Sequence, residues 1–456
     1  MTLGPIAGLV ALNFVLLVVG IAVLYALRGL RSWGETLRLL GLAYMLGVAV
    51  TGVVFVFELV VGVPLSLPVI LATEAALAAA PLVLGYRLGR PRPGGRIVLG
   101  PIAWASVLFG GLFVVYAEAL FRSGRLAGLY EYDGWAFWVP KAKAIYYFGG
   151  LDRQFFSQLP GPSYPPLVPA FEAAAFRFMG GPDVVTLHLQ FWFFLVGFVA
   201  SVAGVLSGRV RALFLWPPLL LLLVSPHVLR YALQAEGDFL LDELLALGAL
   251  LVSLWLVDQQ GWRLLGAAVL LGAAMSTKRE GYLIAACIML AALLVCWPRR
   301  RATWPALVGC GVVAVALTIP WRVLLAVRDL PGGGPEAGGT GLFDHLDRAW
   351  PSLRLALSTL FDFDIWLLVA PLALAAIVIG LVADQGRPAA YALLLFVFAI
   401  AAFTWTTWAF PTLPITKNGA LNPMPRFTGA LTFAATVLVP SLLTGAWAKA
   451  TKAGET

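Results

Sequence analysis

The sequence predicts an all-α polytopic membrane protein with about 13 transmembrane helices. Hydrophobic residues make up 61% of its 456 residues and charged residues only 12%, about half of the charged share in soluble domains. The mean hydropathy is +0.91. Apolar runs of about 20 residues, long enough to cross a bilayer as a helix, recur along nearly the whole chain. The composition therefore excludes a series of soluble domains.

The apolar runs place the predicted spans along the chain. The first run begins almost at Met1, with no basic residue before it and no small-residue cleavage site, which predicts a retained span rather than a signal peptide. Two shorter runs, Ala212–Val224 and Leu264–Met275, are counted as passes to complete the total. The clear candidates are Ile6–Leu27, Leu39–Val61, Leu67–Tyr86, Ile97–Leu120, Leu187–Leu206, Phe239–Val257, Tyr282–Trp297, Trp304–Leu325, Ile365–Ala383, Ala389–Trp408 and Phe427–Trp447.

Basic residues gather in one set of short connections between the spans, which indicates how the chain is oriented. Short loops rich in Lys and Arg stay on the cytoplasmic side of a membrane. The net charge of +8 therefore indicates topology and not a nucleic-acid partner. We predict a multi-pass protein of the cell membrane, with the amino terminus outside and the carboxyl terminus in the cytoplasm. The basic residues are Arg28, Arg31, Arg38, Arg87, Arg90, Arg92, Arg96, Arg209, Arg211, Arg263, Arg299, Arg300, Arg301, Arg387, Lys449 and Lys452.

The opposite side receives the longer loops, together with most of the Asp and Glu residues. These loops also carry Trp, Tyr, Pro and Gly, which favours ordered segments over disordered ones. Function is therefore expected on the outer face. The predicted organisation is amino-terminal helices (1–120), an outer loop (121–186), central helices (187–325), a second outer loop (326–364), and carboxyl-terminal helices with a short cytoplasmic tail (365–456).

The short run Leu264–Met275 bears on the depth of the turn that follows it. Twelve helical residues reach only about 18 Å, and both flanks are predicted to be cytoplasmic. The turn Ser276–Gly281, which holds Lys278, Arg279 and Glu280, is therefore expected close to or below the outer membrane surface. Charges at that depth are tolerated where they line a wet cavity. The alternative is an ordinary hairpin turn with snorkelling basic side chains.

The densest group of polar and aromatic residues lies in the first outer loop, from Tyr130 to Lys143. A carboxylate near the membrane surface can act as a general base on a hydroxyl. Nearby lysines can hold a phosphate, and aromatic faces suit sugar rings. The residues from Ala136 to Phe148 predict an amphipathic interfacial helix. The alternative is an interfacial segment with an aromatic belt and no chemistry.

The order of these motifs resembles the GT-C class of membrane glycosyltransferases, which use polyprenyl-phosphate-linked sugars. Enzymes of that class carry an acidic motif in the first large outer loop, followed by interfacial helices. The segment Glu131-Tyr132-Asp133 is similar to its Glu-x-Asp form. The best-known members have one span before this loop, whereas about four precede it here.

Further motifs are similar to those of bacterial members related to the protein mannosyltransferase and aminoarabinose transferase group. The resemblance covers roughly Tyr130 to Leu438, and the order of the motifs is more specific than any one of them. The motifs are Asp133-Gly134-Trp135 followed by Lys141-Ala142-Lys143, then Tyr164-Pro165-Pro166-Leu167, Gln234-Ala235-Glu236-Gly237-Asp238, Thr277-Lys278-Arg279-Glu280-Gly281 and Pro425-Arg426-Phe427.

The resemblance implies an inverting transfer of a sugar, in one displacement, from a polyprenyl-phosphate donor to a lipid, glycan or protein acceptor. Asp133 would be the general base, and Glu131 would assist it or orient it or a metal. No cofactor is certain, although a divalent metal is possible. The candidates for holding the donor phosphate are Lys141, Lys143, Lys278, Arg279 and Arg426, and those for contacting substrate are Trp135, Tyr164, Glu236, Asp238 and Glu280.

Other functions are compatible with parts of this pattern. A transporter or lipid flippase would place its charges near the bilayer midplane, often in an internal repeat, and the two halves show no repeat. A glycan polymerase or ligase often uses Arg and His in outer loops, and this chain has three His. A membrane scaffold without catalysis is a third alternative. Glu236 and Asp238 are also suited to capping a helix and complementing its dipole.

Overall fold

The computed structural model describes residues 3–95, 103–328, 344–409 and 424–453. Within these four ranges the chain is helical, and no β-strand occurs in them. The helices are, in chain order, α1 (Leu3–Arg28), α2 (Trp33–Arg38), α3 (Leu40–Val61), α4 (Leu67–Arg87), α5 (Trp104–Gly124), α6 (Val139–Phe148), α7 (Arg153–Gln158), α8 (Leu167–Met179), α9 (Val184–Leu206), α10 (Ala212–Leu223), α11 (Pro226–Tyr231), α12 (Gly237–Asp258), α13 (Gly261–Thr277), α14 (Glu280–Val295), α15 (Arg300–Ala316), α16 (Ile319–Val327), α17 (Ala349–Leu360), α18 (Phe363–Trp366), α19 (Val369–Val382), α20 (Arg387–Ala409) and α21 (Met424–Ala453).

Eight of the described helices are long and apolar enough to cross a membrane: α1, α3, α4, α5, α9, α12, α20 and α21. The helices α14 and α15 make a ninth candidate if they form one span, with a bend of 65° between them. Shorter apolar helices are α10, α13 and α19. The chain is thus a helical protein with multiple candidate membrane spans. All 13 predicted segments coincide at least partly with a helix, but a count of 13 crossings stays a prediction.

The predicted first outer loop, residues 121–186, contains several helices. Residues Gly134–Trp138 form a π-helical turn that runs directly into α6, so the helix expected from Ala136 to Phe148 is present. Helix α8 follows and is buried along almost its whole length, packed against α1, α3 and α6. Of the second predicted outer loop, residues 329–343 lie outside the described part, and residues 344–364 contain α17 and the first two residues of α18.

The turn after α13 is shorter than the sequence predicts. Helix α13 has 17 residues and extends to Thr277, so that only Lys278 and Arg279 separate it from α14. Seventeen residues span about 26 Å, which is closer to the full thickness of a hydrocarbon core. The Lys278 side chain is buried. It is therefore not a snorkelling residue of an exposed hairpin turn.

Helices α1 and α3 approach each other through glycine. A Cβ atom added to Gly47 would lie 1.9 Å from the carbonyl oxygen of Leu16, and one added to Gly20 would lie 1.7 Å from that of Ala43. Small residues permit such close backbone contact between membrane helices. A buried hydrogen-bonded group of Asn13, Tyr44 and Gln190 then links these two helices to α9.

We expect Gly47→Ala to destabilise the protein by about 1–3 kcal/mol, because the added methyl group must push two helix backbones apart. The matched control is Gly111→Ala, where an added Cβ atom meets nothing within 4 Å. Thermal unfolding of the purified protein in detergent measures the difference. Equal unfolding temperatures for the two variants would show that α1 and α3 are not in this contact.

Candidate functional site

Four separate parts of the chain meet at one end of the helical bundle. They are the loop before the π-helical turn, the start of α12, the turn between α13 and α14, and the start of α21. Their side chains form a group of ionic contacts, here called the acidic cluster, made of Asp133, Glu236, Asp238, Lys278 and Arg426. Asp133 and Arg426 are 293 residues apart in the sequence.

Arginine and lysine are interleaved with the carboxylates of the acidic cluster. Arg426 donates from Nη1 to Oδ2 of Asp133, and its Nη2 lies 3.9 Å from Oε2 of Glu236. Lys278 donates from Nζ to Oδ1 of Asp238 at 2.7 Å. Three carboxyl groups therefore face two cations.

A narrow cleft with a volume of about 20 Å³ opens beside the acidic cluster. Asp238, Asp242, Glu280 and Arg426 supply its charged side chains. Apolar side chains of α12, α14, α20 and α21 form the remaining wall. The cleft thus combines a polar end with an apolar wall. Its other lining residues are Leu241, Leu283, Ile284, Phe403, Thr406, Phe427 and Ala430.

Several buried carboxylate oxygens at the site have no hydrogen-bond partner within the described part of the chain. They are Oε1 of Glu236, Oδ2 of Asp238 and Oε2 of Glu280. Glu236 occupies the position before α12 but makes no capping hydrogen bond through its side chain. Glu236 therefore does not cap α12 through its side chain, which was the alternative role considered from the sequence. Unpaired buried acceptors are costly, and a bound ligand or cation would satisfy them.

Burial and neighbouring charges shift the protonation of two residues at the site. Burial raises the pKa of Glu236 to about 8, and the negative charge of Asp238 acts in the same direction. Burial alone lowers the pKa of Lys278, but the carboxylates of Asp238 and Glu280 outweigh it, so that the net pKa is raised. Lys278 therefore stays a cation.

A second group of contacts holds the loop before α8 against the site. Arg279 donates to the hydroxyl oxygen of Ser163, and its guanidinium lies 5.1 Å from the ring centre of Tyr164. The Tyr164 ring meets the Trp138 ring edge to face. A Cβ atom on Gly237 would lie 3.1 Å from the Trp138 ring, which is a tight contact. Arg279 and Tyr164 thus hold the loop before α8 against the turn that follows α13, and they do not line the cleft.

The structure does not bring every predicted site residue into the acidic cluster. Glu131 lies two residues before Asp133 but contacts Arg230 instead, at 3.3 Å. Trp135 is 53% exposed, and its ring meets the Tyr132 ring edge to face. Neither residue lines the cleft.

The two lysines of α6 also lie apart from the cleft. Positions i and i+2 of a helix point in different directions. Accordingly Lys141 is buried, whereas Lys143 is partly exposed. Lys141 donates from Nζ to the carbonyl oxygen of Gly161 at 2.7 Å, and Nζ lies 3.4 Å from the ring centre of Phe137. Lys141 is therefore a link between α6 and the Gly161 loop.

The pH dependence of stability tests the buried position of Lys141. Burial lowers the pKa of Lys141 to about 6, with the charge of Arg279 acting in the same direction. The unfolded chain keeps a proton on this lysine up to a pKa of about 10.4, whereas the folded protein releases it near pH 6. The free energy of unfolding therefore rises from about pH 6 to 10.4, and that gain is lost as the pH falls back towards 6. We expect Lys141→Met to flatten the rise of the unfolding temperature between about pH 6 and 10. Lys143→Met is the matched control, and its unfolding temperature should rise with pH as steeply as that of the wild type. A slope unchanged by Lys141→Met would contradict the buried position.

Two buried acids are site features that the sequence interpretation did not assign. Asp242 lies in the cleft wall, with its carboxylate against the Cα atom of Gly429. Glu172 of α8 is fully buried, and neither carboxylate oxygen has a hydrogen-bond partner in the described ranges. Burial raises the pKa of Glu172 well above its usual value, as does the charge of Glu236. The sequence signal for Glu172 is its position as a lone acid within the apolar run Leu167–Phe176.

The acidic cluster has the chemistry of a divalent cation site. Asp133, Glu236 and Asp238 each offer one carboxylate oxygen, and these oxygens lie within 4.8 Å of one another. Hard cations such as Mg²⁺ prefer oxygen ligands of this type. The unpaired oxygens of Glu236 and Asp238 are consistent with such a ligand set.

The fold and the site together define a helical protein with multiple candidate membrane spans and a cleft that holds buried ion pairs at one end of the bundle. Comparison of the chain with protein-family models, curated proteins and solved structures gives no match.

Proposed function

We propose that this protein is an inverting glycosyltransferase that moves a sugar from a polyprenyl-phosphate donor to an acceptor. The observation that carries the proposal is the contact between Asp133 and Arg426 beside Glu236 and the Lys278–Asp238 pair. Each of these residues belongs to a motif that resembles the GT-C class. Convergence of motifs from distant parts of the chain is what a shared active site requires.

The donor phosphate binds in this proposal at Arg426 and Lys278. A guanidinium group can hold two phosphate oxygens at once, and an ammonium group adds a point charge. Both cations are already paired with carboxylates, so the phosphate competes for them. Transfer of Arg426 from Asp133 to the phosphate leaves the Asp133 carboxylate without its partner. Donor binding thereby prepares the general base.

The chemical step is one displacement at the anomeric carbon. An acceptor hydroxyl gives its proton to Asp133 while its oxygen forms a bond to the anomeric carbon. The bond from that carbon to the phosphate oxygen breaks, and the polyprenyl phosphate leaves with the electron pair. Arg426 and Lys278 stabilise the charge that develops on the leaving phosphate. Attack opposite the leaving group inverts the anomeric configuration.

The other parts of the substrates bind in this proposal at the cleft, which must widen from its volume of about 20 Å³ to admit them. Its apolar wall, which includes Phe403 and Phe427, suits the start of a polyprenyl chain. Glu280 and Asp242 are placed to accept hydrogen bonds from sugar hydroxyls. A divalent cation held by Asp133, Glu236 and Asp238 would add further charge to neutralise the phosphate. Glu131 does not touch the substrates in this proposal, and its role is to position Arg230 through their ion pair.

The proposed topology follows the distribution of basic residues. The acidic cluster faces the outside of the cell membrane, and the ends of the helices with the arginine-rich loops face the cytoplasm. Thirteen passes, counting α14 and α15 as two separate spans and α10, α13 and α19 as one span each, place the amino terminus outside and the carboxyl terminus inside. This arrangement gives a GT-C-like fold with about four spans before the first outer loop.

A transporter or flippase is the second candidate, and a specific feature favours it. Asp242 and Glu243 are buried within α12, and Glu172 is buried next to the bundle core. Ionisable groups at such positions often couple transport to protons. A glycan polymerase or ligase ranks below both, because the cluster is built from acids and not from histidine.

Reconstitution separates these functions. The purified protein in liposomes is supplied with polyprenyl-phosphate sugars and a mixture of lipid and glycan acceptors. The proposal expects a glycosylated acceptor of inverted anomeric configuration, together with free polyprenyl phosphate, as measured by mass spectrometry and nuclear magnetic resonance. Solute or lipid movement across the bilayer without any transfer product would instead support the transporter.

A further inference from the structure

A second pocket lies at the far end of the bundle from the acidic cluster. Helix α12 connects the two, since Asp238 is in its first turn and the pocket begins just after its last residue, Asp258. Its 22 residues span about 33 Å. This basic pocket is open and has a volume of about 440 Å³. Its lining residues are Leu27, Arg28, Arg31, Arg90, Gln260, Gly261, Trp262 and Leu265.

Contacts between two loops fix the rim of the basic pocket. The amide of Leu30 donates to the carbonyl oxygen of Pro91, and Ser32 forms a bridge with Gly94. Gly29 has a φ of +74°, and a Cβ atom there would lie 2.4 Å from the Pro91 ring. These contacts hold the loop after α1 against the loop after α4. The arginines carried by the two loops are therefore placed before any ligand binds.

The three arginines of the basic pocket retain capacity to bind an anion. Arg90 uses Nε to donate to the carbonyl oxygen of Ala26. Arg28 contacts Glu35 and lies over the Trp262 ring, 5.0 Å from its centre. Arg31 is exposed, and its backbone amide, not its guanidinium, meets Glu35. One carboxylate thus faces three guanidinium groups, and the pocket remains strongly positive.

The surroundings of the basic pocket favour a lipid over an anion from the water phase. Large apolar side chains are exposed on and beside the pocket: Trp33 (48%), Leu37 (50%), Leu88 (56%) and Leu265 (50%). A soluble phosphate gains nothing from such side chains, whereas the acyl chains of a lipid cover them. Basic pockets between membrane helices are suited to anionic headgroups.

We propose that the basic pocket binds the phosphate headgroup of an anionic phospholipid, in the leaflet opposite the acidic cluster. The headgroup phosphate lies between Arg31, Arg90 and Arg28, and the glycerol end rests against Trp262. The acyl chains run along Leu265 and the outer surface of α13. This site is independent of the proposed sugar transfer, because it uses none of the residues of the cleft.

Native mass spectrometry of the full-length protein in detergent tests the proposal, with phosphatidylglycerol as the probe and phosphatidylcholine as the zwitterionic comparison. We expect phosphatidylglycerol to be retained preferentially. Arg31→Gln should weaken that retention roughly fivefold, since one basic residue near a membrane contributes about 1 kcal/mol. Arg31→Lys should keep most of it. The matched control is Arg301→Gln, which removes an exposed charge in the first turn of α15.

Three outcomes would overturn the proposal. The first is equal retention of the two lipids. The second is an equal loss in Arg31→Gln and Arg301→Gln, which would mean general attraction to a basic surface. The third is complete displacement of phosphatidylglycerol by millimolar inorganic phosphate, which would identify a site for a soluble anion. Because Arg31 is exposed, its substitution leaves the packed core intact.

Discussion

Asp133→Asn is expected to reduce the rate of sugar transfer by about 10²- to 10⁴-fold, the usual contribution of a general base. The amide keeps the shape of the side chain and still accepts a hydrogen bond from Arg426, but it cannot take the acceptor proton. The measurement is initial rate with a polyprenyl-phosphate sugar in liposomes. Donor binding should not weaken, because the neutral amide competes less with the phosphate for Arg426 than the carboxylate does.

Glu131→Gln is the matched control for Asp133→Asn. It is the other acid of the same motif, but it contacts the exposed Arg230 rather than the acidic cluster. We expect it to keep the rate within about tenfold of the wild type, as for loss of a surface ion pair. Full activity of Asp133→Asn, or an equal loss in both variants, would contradict the assignment of the base to Asp133.

Arg426→Gln is expected to lower the rate of transfer by about 10²- to 10³-fold, comparable to the loss of one donor that stabilises a developing oxyanion. Its removal leaves the carboxylates of Asp133, Glu236 and Asp238 facing Lys278 alone. That imbalance also repels the donor phosphate, so we expect weaker donor binding together with the slower step. Steady-state kinetics and direct binding of the donor measure the two effects separately.

Two further substitutions define what Arg426 does. Arg426→Lys keeps the charge but cannot contact Asp133 and Glu236 with separate nitrogen atoms, so we expect an activity between those of Arg426→Gln and the wild type. Arg230→Gln removes an arginine that is 64% exposed at its side chain and should have little effect on donor binding. Unaltered donor binding in Arg426→Gln would exclude Arg426 as a phosphate ligand.

Much of the helical architecture follows from the sequence alone, because hydropathy is a local property. A run of apolar residues favours a helix in lipid wherever the rest of the chain lies. The predicted segments therefore coincide with helices, and the helix expected near Ala136–Phe148 is present. Helix ends are less well determined. Polar residues such as Ser276 and Thr277 continue α13, and their hydroxyl groups donate to carbonyl groups one turn earlier.

The composition of the site was only partly predictable. The short acidic and basic motifs identified Asp133, Glu236, Asp238, Lys278 and Arg426 as candidates. Their pairing depends on contacts between residues up to 293 positions apart, and no local pattern contains that information. The sequence treats Glu131 like Asp133 and Lys141 like Lys278. Packing separates them, since Glu131 faces Arg230 and Lys141 is enclosed near Phe137 and Gly161.

The sequence by itself thus determined that this chain is helical, with multiple candidate membrane spans, and it supplied a set of candidates for its polar site. Only the tertiary structure decided which of those residues meet. The physical reason is that a charge within a low-dielectric bundle must find a partner. The available partner depends on how α12, α13, α14 and α21 pack together, and not on the residues that adjoin it in the chain.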